Sequence, residues 1–378
     1  MKHRLAETGN PLTQPSPPGH TEITPLTGLR GIAACWVMAA HYLGTTRGPD
    51  VVRSFIDHGY IPVDIFLILS GFVLALTYQA QFRNAVTVSG IGRFLAYRLA
   101  RIYPLYAVTT LVCLVQLLCG LDVWGNASAS VASTAANFLL VQAWRATGHT
   151  LNAPAWSIST EWAANLLFPV LVVVLIRWRM RTAALLSAAA FLCLSASAFL
   201  FGQLGENDPW RGAVNWYAGP AAVMRCTAEF VFGMLCWRLR TESWAVRLGS
   251  TPVLIGVLGT MWVFIVYSWQ DIPLVALSCA LVIGLAAERS FVAGWFGSRI
   301  PRWLGNVSFS IYLWQIPMLP LRPFAIAAAT RAGAADPWLV GNLAMMAGVI
   351  GVSAASFRWL EKPSQRVLRA LMGRRQAA

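Results

Sequence analysis

Charge is what this sequence has least of. Only 12% of its 378 residues are Asp, Glu, Lys or Arg, about half of the roughly 25% carried by soluble domains, and this shortage excludes an ordinary soluble protein. Acidic residues are scarcer still, 15 against 29 Lys and Arg, which leaves a net charge of +14. A disulfide framework is missing as well. The seven cysteines (Cys35, Cys113, Cys119, Cys193, Cys226, Cys236, Cys279) all fall in apolar stretches, where they act as small hydrophobes, and none shows metal-ligand spacing. Residues 1–25 hold five prolines and few apolar residues, so they are not expected to form a signal-peptide core. They are expected to be a disordered cytoplasmic tail, with the first span itself acting as the targeting signal. No internal repeat or further low-complexity segment marks a linker.

What is present is apolar. Hydrophobic residues make up 57% of the chain, 17 of them Trp, and the mean hydropathy is +0.58. This balance predicts an all-α, polytopic integral membrane domain of about ten helices. Runs of spanning length lie near 26–46, 60–80, 102–120, 161–177, 182–202, 219–238, 252–268, 273–287, 308–329 and 338–358. The 273–287 run is short for a span, and the apolar stretch 131–144 suits a re-entrant or interfacial segment. Ten spans put both termini on one side. With that side inward, the inner segments receive 22 of the 29 Lys and Arg and the outer loops six, so the termini are expected in the cytoplasm and the protein in the inner, plasma membrane. The positive charge is thereby read as a topology signal and not as nucleic-acid binding. The expected division is a tail at 1–25, a membrane domain at 26–363 and a basic tail at 364–378.

Against this background a few polar residues stand out. Arg30 and His41 are eleven residues apart in the first span, about three turns and about 16 Å of rise, so they project from one helix face. A titratable group inside a bilayer usually marks a substrate or proton path, although a hydrogen-bonded core histidine has the same sequence appearance. In the second span Asp64 precedes the Ser70-Gly71 pair by a turn and a half. Ser70 and Gly71 suit close helix packing, whereas a lone carboxylate in lipid requires a partner or a role. Arg93, Arg98 and Arg101 lie in a basic amphipathic stretch before the third span, which suits lipid headgroups and equally the oxygens of a polyphosphate. The run Trp156-Ser157-Ile158-Ser159-Thr160-Glu161 gathers three hydroxyls and a carboxylate at a helix start, where Ser159 or Thr160 could cap and Glu161 would favour the positive helix end. By depth, Glu161, Asp64 and His41 could converge in the outer half of the membrane. Arg225 and Glu229 form an i,i+4 pair in the sixth span, structural or direct in role. Gly305 to Pro317 opens the expected ninth span, and Phe357 to Pro363 closes the tenth as a helix stop.

Taken in order, these blocks resemble the membrane-bound acyltransferase-3 family, whose members include O-acetyltransferases of bacterial lipopolysaccharide, exopolysaccharide and other glycosides. The match runs through Arg30 and His41, the block Asp64 to Phe72, Arg98 and Arg101, Trp156 to Glu161, Ser308 to Pro317, and Glu361 with Pro363. The resemblance implies a multi-pass enzyme that takes an acyl group, usually acetyl, from cytoplasmic acyl-CoA and delivers it to a carbohydrate hydroxyl, with no metal. By that similarity His41 is catalytic, and Arg30, Arg98 and Arg101 serve the CoA side. Asp64 or Glu161 would orient the ring; Ser70, Trp156, Ser159 and Arg225 join the substrate-binding set, with Arg225, Ser157 or Ser159 facing a developing oxyanion. An acyl-histidine intermediate is an alternative course. The family often carries His where this chain has Gln315, which hydrogen-bonds but does not titrate. The esterase-like domain appended in some relatives is not expected here. The competing class is a proton-coupled or anion transporter built on His41, Asp64 and the Arg225–Glu229 pair.

Overall fold

The computed structural model describes residues 22–44, 49–121, 128–144, 150–177, 217–267 and 271–374, with isolated helical positions at 185, 189 and 192. The fifth expected span, at 182–202, therefore falls almost wholly outside the described residues. Among the described residues the fold is all-helical, without a strand. The helices are α1 (Thr24–Leu43), α2 (Asp50–Asp57), α3 (Ile61–Phe82), α4 (Val88–Leu118), α5 (Val131–Phe138), α6 (Trp156–Arg177), α7 (Gly219–Leu239), α8 (Ser243–Leu248), α9 (Thr251–Val266), α10 (Asp271–Ala286), α11 (Phe291–Phe296), α12 (Arg299–Trp314), α13 (Arg322–Arg331), α14 (Pro337–Ser356) and α15 (Lys362–Arg374). Among the described residues four helical stretches are long and apolar enough to cross a membrane: Ile61–Phe82, Val88–Leu118, Ala153–Ile176 and Pro337–Leu371. The helices of Thr251–Val266 and Asp271–Ala286 are apolar but shorter.

Helix starts follow the local chemistry. Prolines in the first turn open α1, α3, α7, α9 and α14, where the missing N–H has no intrahelical partner to lose. Thr87 caps α4 by accepting from Gly90 N at 3.1 Å, and Asp336 caps α14 by accepting from Leu339 N at 3.0 Å. The basic stretch before the third expected span is part of α4 itself, a single helix of 31 residues with Pro104 inside it.

Three expectations change in the structure. The ninth span is not one helix across 308–329. α12 begins earlier, at Arg299, and ends at Trp314, and a 3-10 turn at Leu319–Leu321 leads into α13. Pro317 and Pro320, three residues apart, remove two backbone donors here, and the α-helix gives way to turns. The tenth span does not stop at Pro363 either. A π-helical turn at Phe357–Glu361 joins α14 to α15, and this wider turn admits Pro363 without ending the helix. Ser159 and Thr160 do not cap α6. The helix starts at Trp156 behind a 3-10 turn at Ala153–Ala155, which puts both hydroxyls past the capping position.

Two helix pairs form the centre, and each is closed over glycine. α1 and α12 run parallel: Arg30 meets Gly305 and, further along, Tyr42 meets Gln315. A Cβ on Gly305 would lie 1.9 Å from the Thr27 carbonyl oxygen, and one on Gly31 would lie 2.4 Å from Gly305 N. α3 and α7 are also parallel and touch at Gly71 and Gly233, where added Cβ atoms would come within 1.9 Å of the Phe230 and Ile68 carbonyl oxygens. Only a hydrogen side chain permits such backbone approach.

Candidate active site

A cavity of about 290 Å³ lies between α1, α3, α4, α6 and α12, and six of its polar lining residues are Arg30, Ser70, Arg98, Arg101, Ser157 and Glu161. Its rim carries Glu22, an exposed residue in the stretch expected to be a disordered tail. Glu22 accepts from Arg302 Nη2 at 2.5 Å, and that guanidinium holds its carboxyl below the ordinary range. At the other end Phe66 and Tyr312 meet edge to face, with ring centroids 5.6 Å apart. The Tyr312 hydroxyl is held 2.8 Å from Ser157 Oγ and 3.0 Å from the Pro154 carbonyl oxygen.

Three guanidiniums face this cavity, and they differ in what holds them. Arg98 Nη2 donates to Glu161 Oε1 at 2.6 Å, and Ser70 Oγ donates to the same oxygen at 2.5 Å. Arg101 donates to Glu361, whose other oxygen accepts from Ser310 Oγ at 2.9 Å. Arg30 has no such carboxylate partner among the described residues. Its Nη2 donates to the Gly305 carbonyl oxygen at 3.1 Å, and its buried Nε makes no hydrogen bond. A half-buried guanidinium held by a carbonyl and not by a carboxylate of its own leaves hydrogen-bonding capacity for an anionic ligand.

His41 sits elsewhere on the same helix. The α1 residues that line the cavity end at Arg30, eleven residues and about 16 Å of helix rise short of His41. The ring's Nδ1 lies 3.1 Å from Gln315 Oε1. Asp64 and Glu161, expected to converge on it, are engaged elsewhere. Glu161 faces the cavity with Arg98 and Ser70. Asp64 accepts from Arg225 Nη2, and Arg225 Nε donates to Glu229 Oε1 at 3.0 Å, so one guanidinium joins two carboxylates in a cluster at most 1% exposed. The Arg225 guanidinium lies 5.8 Å over the Trp156 ring.

The hydroxyls of the Trp156 to Glu161 run divide between roles. Ser157 lines the cavity, whereas Ser159 Oγ donates to the Leu140 carbonyl oxygen at 2.9 Å and accepts from Ala143 N at 3.2 Å. Ser159 thus pins the 131–144 segment to α6. Glu361, Phe66 and Tyr312 belong to the site as well. In the sequence all three lie inside blocks that carry the family resemblance, but nothing local pairs Glu361 with Arg101 or brings Phe66 to Tyr312. Among the described residues no group of three or more His, Cys, Asp or Glu is arranged to hold a metal ion.

With this geometry in place, comparison with known proteins is decisive. The acyltransferase-3 family model, described as an acyltransferase domain, matches residues 24–358. The chain belongs to this family. One relative, acyltransferase MdmB of Streptomyces mycarofaciens, is 29% identical over 391 aligned residues, which cover 95% of each chain. Another, peptidoglycan O-acetyltransferase OatA of Listeria monocytogenes serovar 1/2a, is 23% identical over 90% of this chain and 55% of its own length. No solved structure matches. Family membership makes this acyltransferase-3 protein an acyltransferase, and the comparisons lend the transporter reading no support.

Proposed function

We propose that this enzyme takes an acyl group, acetyl in the first instance, from cytoplasmic acyl-CoA bound at the Arg30 cavity and passes it to a carbohydrate hydroxyl on the opposite side of the inner membrane. The observation that carries the reading is Arg30, a half-buried cation on the cavity wall that forms no ion pair of its own among the described residues. A donor rich in phosphate supplies the missing negative charge. Arg98 and Arg101, steadied by Glu161 and Glu361, stand ready to share phosphate oxygens as well. The Lys and Arg distribution supports ten spans with cytoplasmic termini, which makes the rim at Glu22 the inner mouth. The long pantetheine arm of acyl-CoA then runs along α1 toward His41.

At His41 the acceptor oxygen attacks the thioester carbonyl, the imidazole takes the hydroxyl proton, the C–S bond breaks, and the thiolate leaves with that proton. Ser157 and the Tyr312 hydroxyl, at the deep end of the cavity, are placed to steady the thioester on its way. Asp64, Arg225 and Glu229 hold Trp156 in position. Similarity to OatA, a peptidoglycan O-acetyltransferase, favours acetyl as the group and a surface glycan as the acceptor.

Binding of labelled acetyl-CoA to the purified protein tests the donor site. Arg30→Gln is expected to weaken binding by about 10- to 100-fold, the value of one hydrogen bond to a charged group, about 1.5–3 kcal/mol. Equal binding by wild type and variant would remove the cavity from the donor's path.

A further inference from the structure

We propose that Gln315 sets the tautomer of His41, holding the ring proton on Nδ1 and leaving the basic lone pair on Nε2. Gln315 is fully buried, so its amide is oriented by protein groups. Its Nε2 donates to the Tyr312 carbonyl oxygen at 3.0 Å. A carbonyl oxygen only accepts, so the amide nitrogen must face it. That places Oε1 toward His41, at 3.1 Å from Nδ1. An amide oxygen cannot donate, and the contact is a hydrogen bond only when Nδ1 carries the hydrogen. The opposite amide orientation would set Oε1 against the Tyr312 oxygen and lose a buried hydrogen bond, a cost of about 1–3 kcal/mol.

The main chain on both sides holds this arrangement in place. Tyr42, the neighbour of His41, donates its hydroxyl to the Gln315 carbonyl oxygen at 2.8 Å, and Gln315 N donates to the Ile311 carbonyl oxygen at 3.3 Å. The end of α12 is therefore bolted to the end of α1 at two adjacent residues. A glutamine also neither takes up nor releases a proton, so it acts on the ring by direction alone. Gln315 is thus a positioning residue. Its catalytic consequence rests on the proposed role of His41 as the base, whereas the tautomer itself does not.

The test is nitrogen-15 NMR of the full-length protein labelled at histidine, with the His41 signals identified by subtraction of a His41→Ala sample and recorded where the ring is neutral. Wild type is expected to show a protonated Nδ1 and a pyridine-type Nε2. Gln315→Leu is expected to shift the ring toward the Nε2–H form, and Gln315→Glu, which keeps an acceptor oxygen, is expected to retain Nδ1–H. A wild-type ring in the Nε2–H form, or a Gln315→Leu protein that keeps Nδ1–H, would overturn the assignment. Should Gln315→Leu fail to elute as a folded species, the wild-type and Gln315→Glu spectra still decide it. In acyl transfer, Gln315→Leu should lower kcat at least about tenfold, because an N–H then stands where the base is needed, with the acetyl-CoA KM unchanged. A loss carried by KM alone would count against a positioning role. An Nδ1–H ring together with full activity in His41→Ala would keep the tautomer and remove the proposed function of His41.

Discussion

Arg30 and His41 share a face of α1 but meet different surroundings, and their separation puts the proposed donor-binding and acid-base roles at two ends of one helix. Arg30 looks into the cavity with a carbonyl as its hydrogen-bond partner, while His41 contacts the amide of Gln315. Arg98 differs from Arg30 because Glu161 already holds it. Arg98→Ala should therefore release Glu161 and Ser70 as well as remove a phosphate contact. Kinetics should show both a raised acetyl-CoA KM and a lowered kcat for Arg98→Ala, against a raised KM alone for Arg30→Gln. Identical profiles for the two variants would contradict this division. Of these contacts, the sequence shows the shared face of Arg30 and His41 through their spacing. It does not show that Glu161 turns to Arg98 and away from His41, because the pairing depends on how α4 and α6 are placed in space.

Helices here are joined by glycine contacts and by one buried charge cluster. Gly305→Ala would drive a methyl into the Thr27 carbonyl oxygen at 1.9 Å, and overpacking of this kind costs about 1–3 kcal/mol or more. Thermal unfolding in detergent should show a clear loss for Gly305→Ala. Gly351→Ala is the control: an added Cβ meets nothing within 4 Å, and removing a helical glycine is favourable by roughly 0.5–1 kcal/mol. A Gly305→Ala protein as stable as Gly351→Ala would contradict the close α1–α12 approach. The Asp64–Arg225–Glu229 cluster makes a second forecast at this scale. Breaking a buried ion pair from one side costs about 3–5 kcal/mol, so Asp64→Leu should lower the unfolding temperature well beyond an exposed carboxylate change such as Asp50→Ala, and equal effects would argue against the cluster. Helix existence was readable from apolar runs, since α1, α3, α6, α7 and α14 fall close to the expected spans. The breaks were not: Pro317 and Pro363 look alike in sequence, yet one ends a helix and the other is carried by a π-turn. The i,i+4 spacing of Arg225 and Glu229 was visible, but the link to Asp64 joins α3 to α7 and has no local signal.

For the whole molecule, few charges and apolar helices make a membrane enzyme, and the uneven Lys and Arg distribution supports the proposed donor mouth on its cytoplasmic side. That polarity is open to direct labelling in cells with a membrane-impermeant maleimide, in a Cys119→Ser background. Val51→Cys, on exposed α2, should react from outside, and Val367→Cys, on basic α15, only after the membrane is opened. The reverse pattern would invert the donor and acceptor sides. Membership of the acyltransferase-3 family was legible in the order of the motif blocks, because those residues are spread along the chain in fixed succession. The acceptor was not, since no outer segment carries a readable recognition pattern. The most direct measurement is transfer of radiolabelled acetyl from acetyl-CoA into membrane glycans and lipids, comparing wild type with His41→Ala at matched expression. Label that appears with wild type and falls by about 10²-fold or more with His41→Ala is the predicted result, the usual scale of a lost general base. Label that persists undiminished in His41→Ala would contradict the central claim.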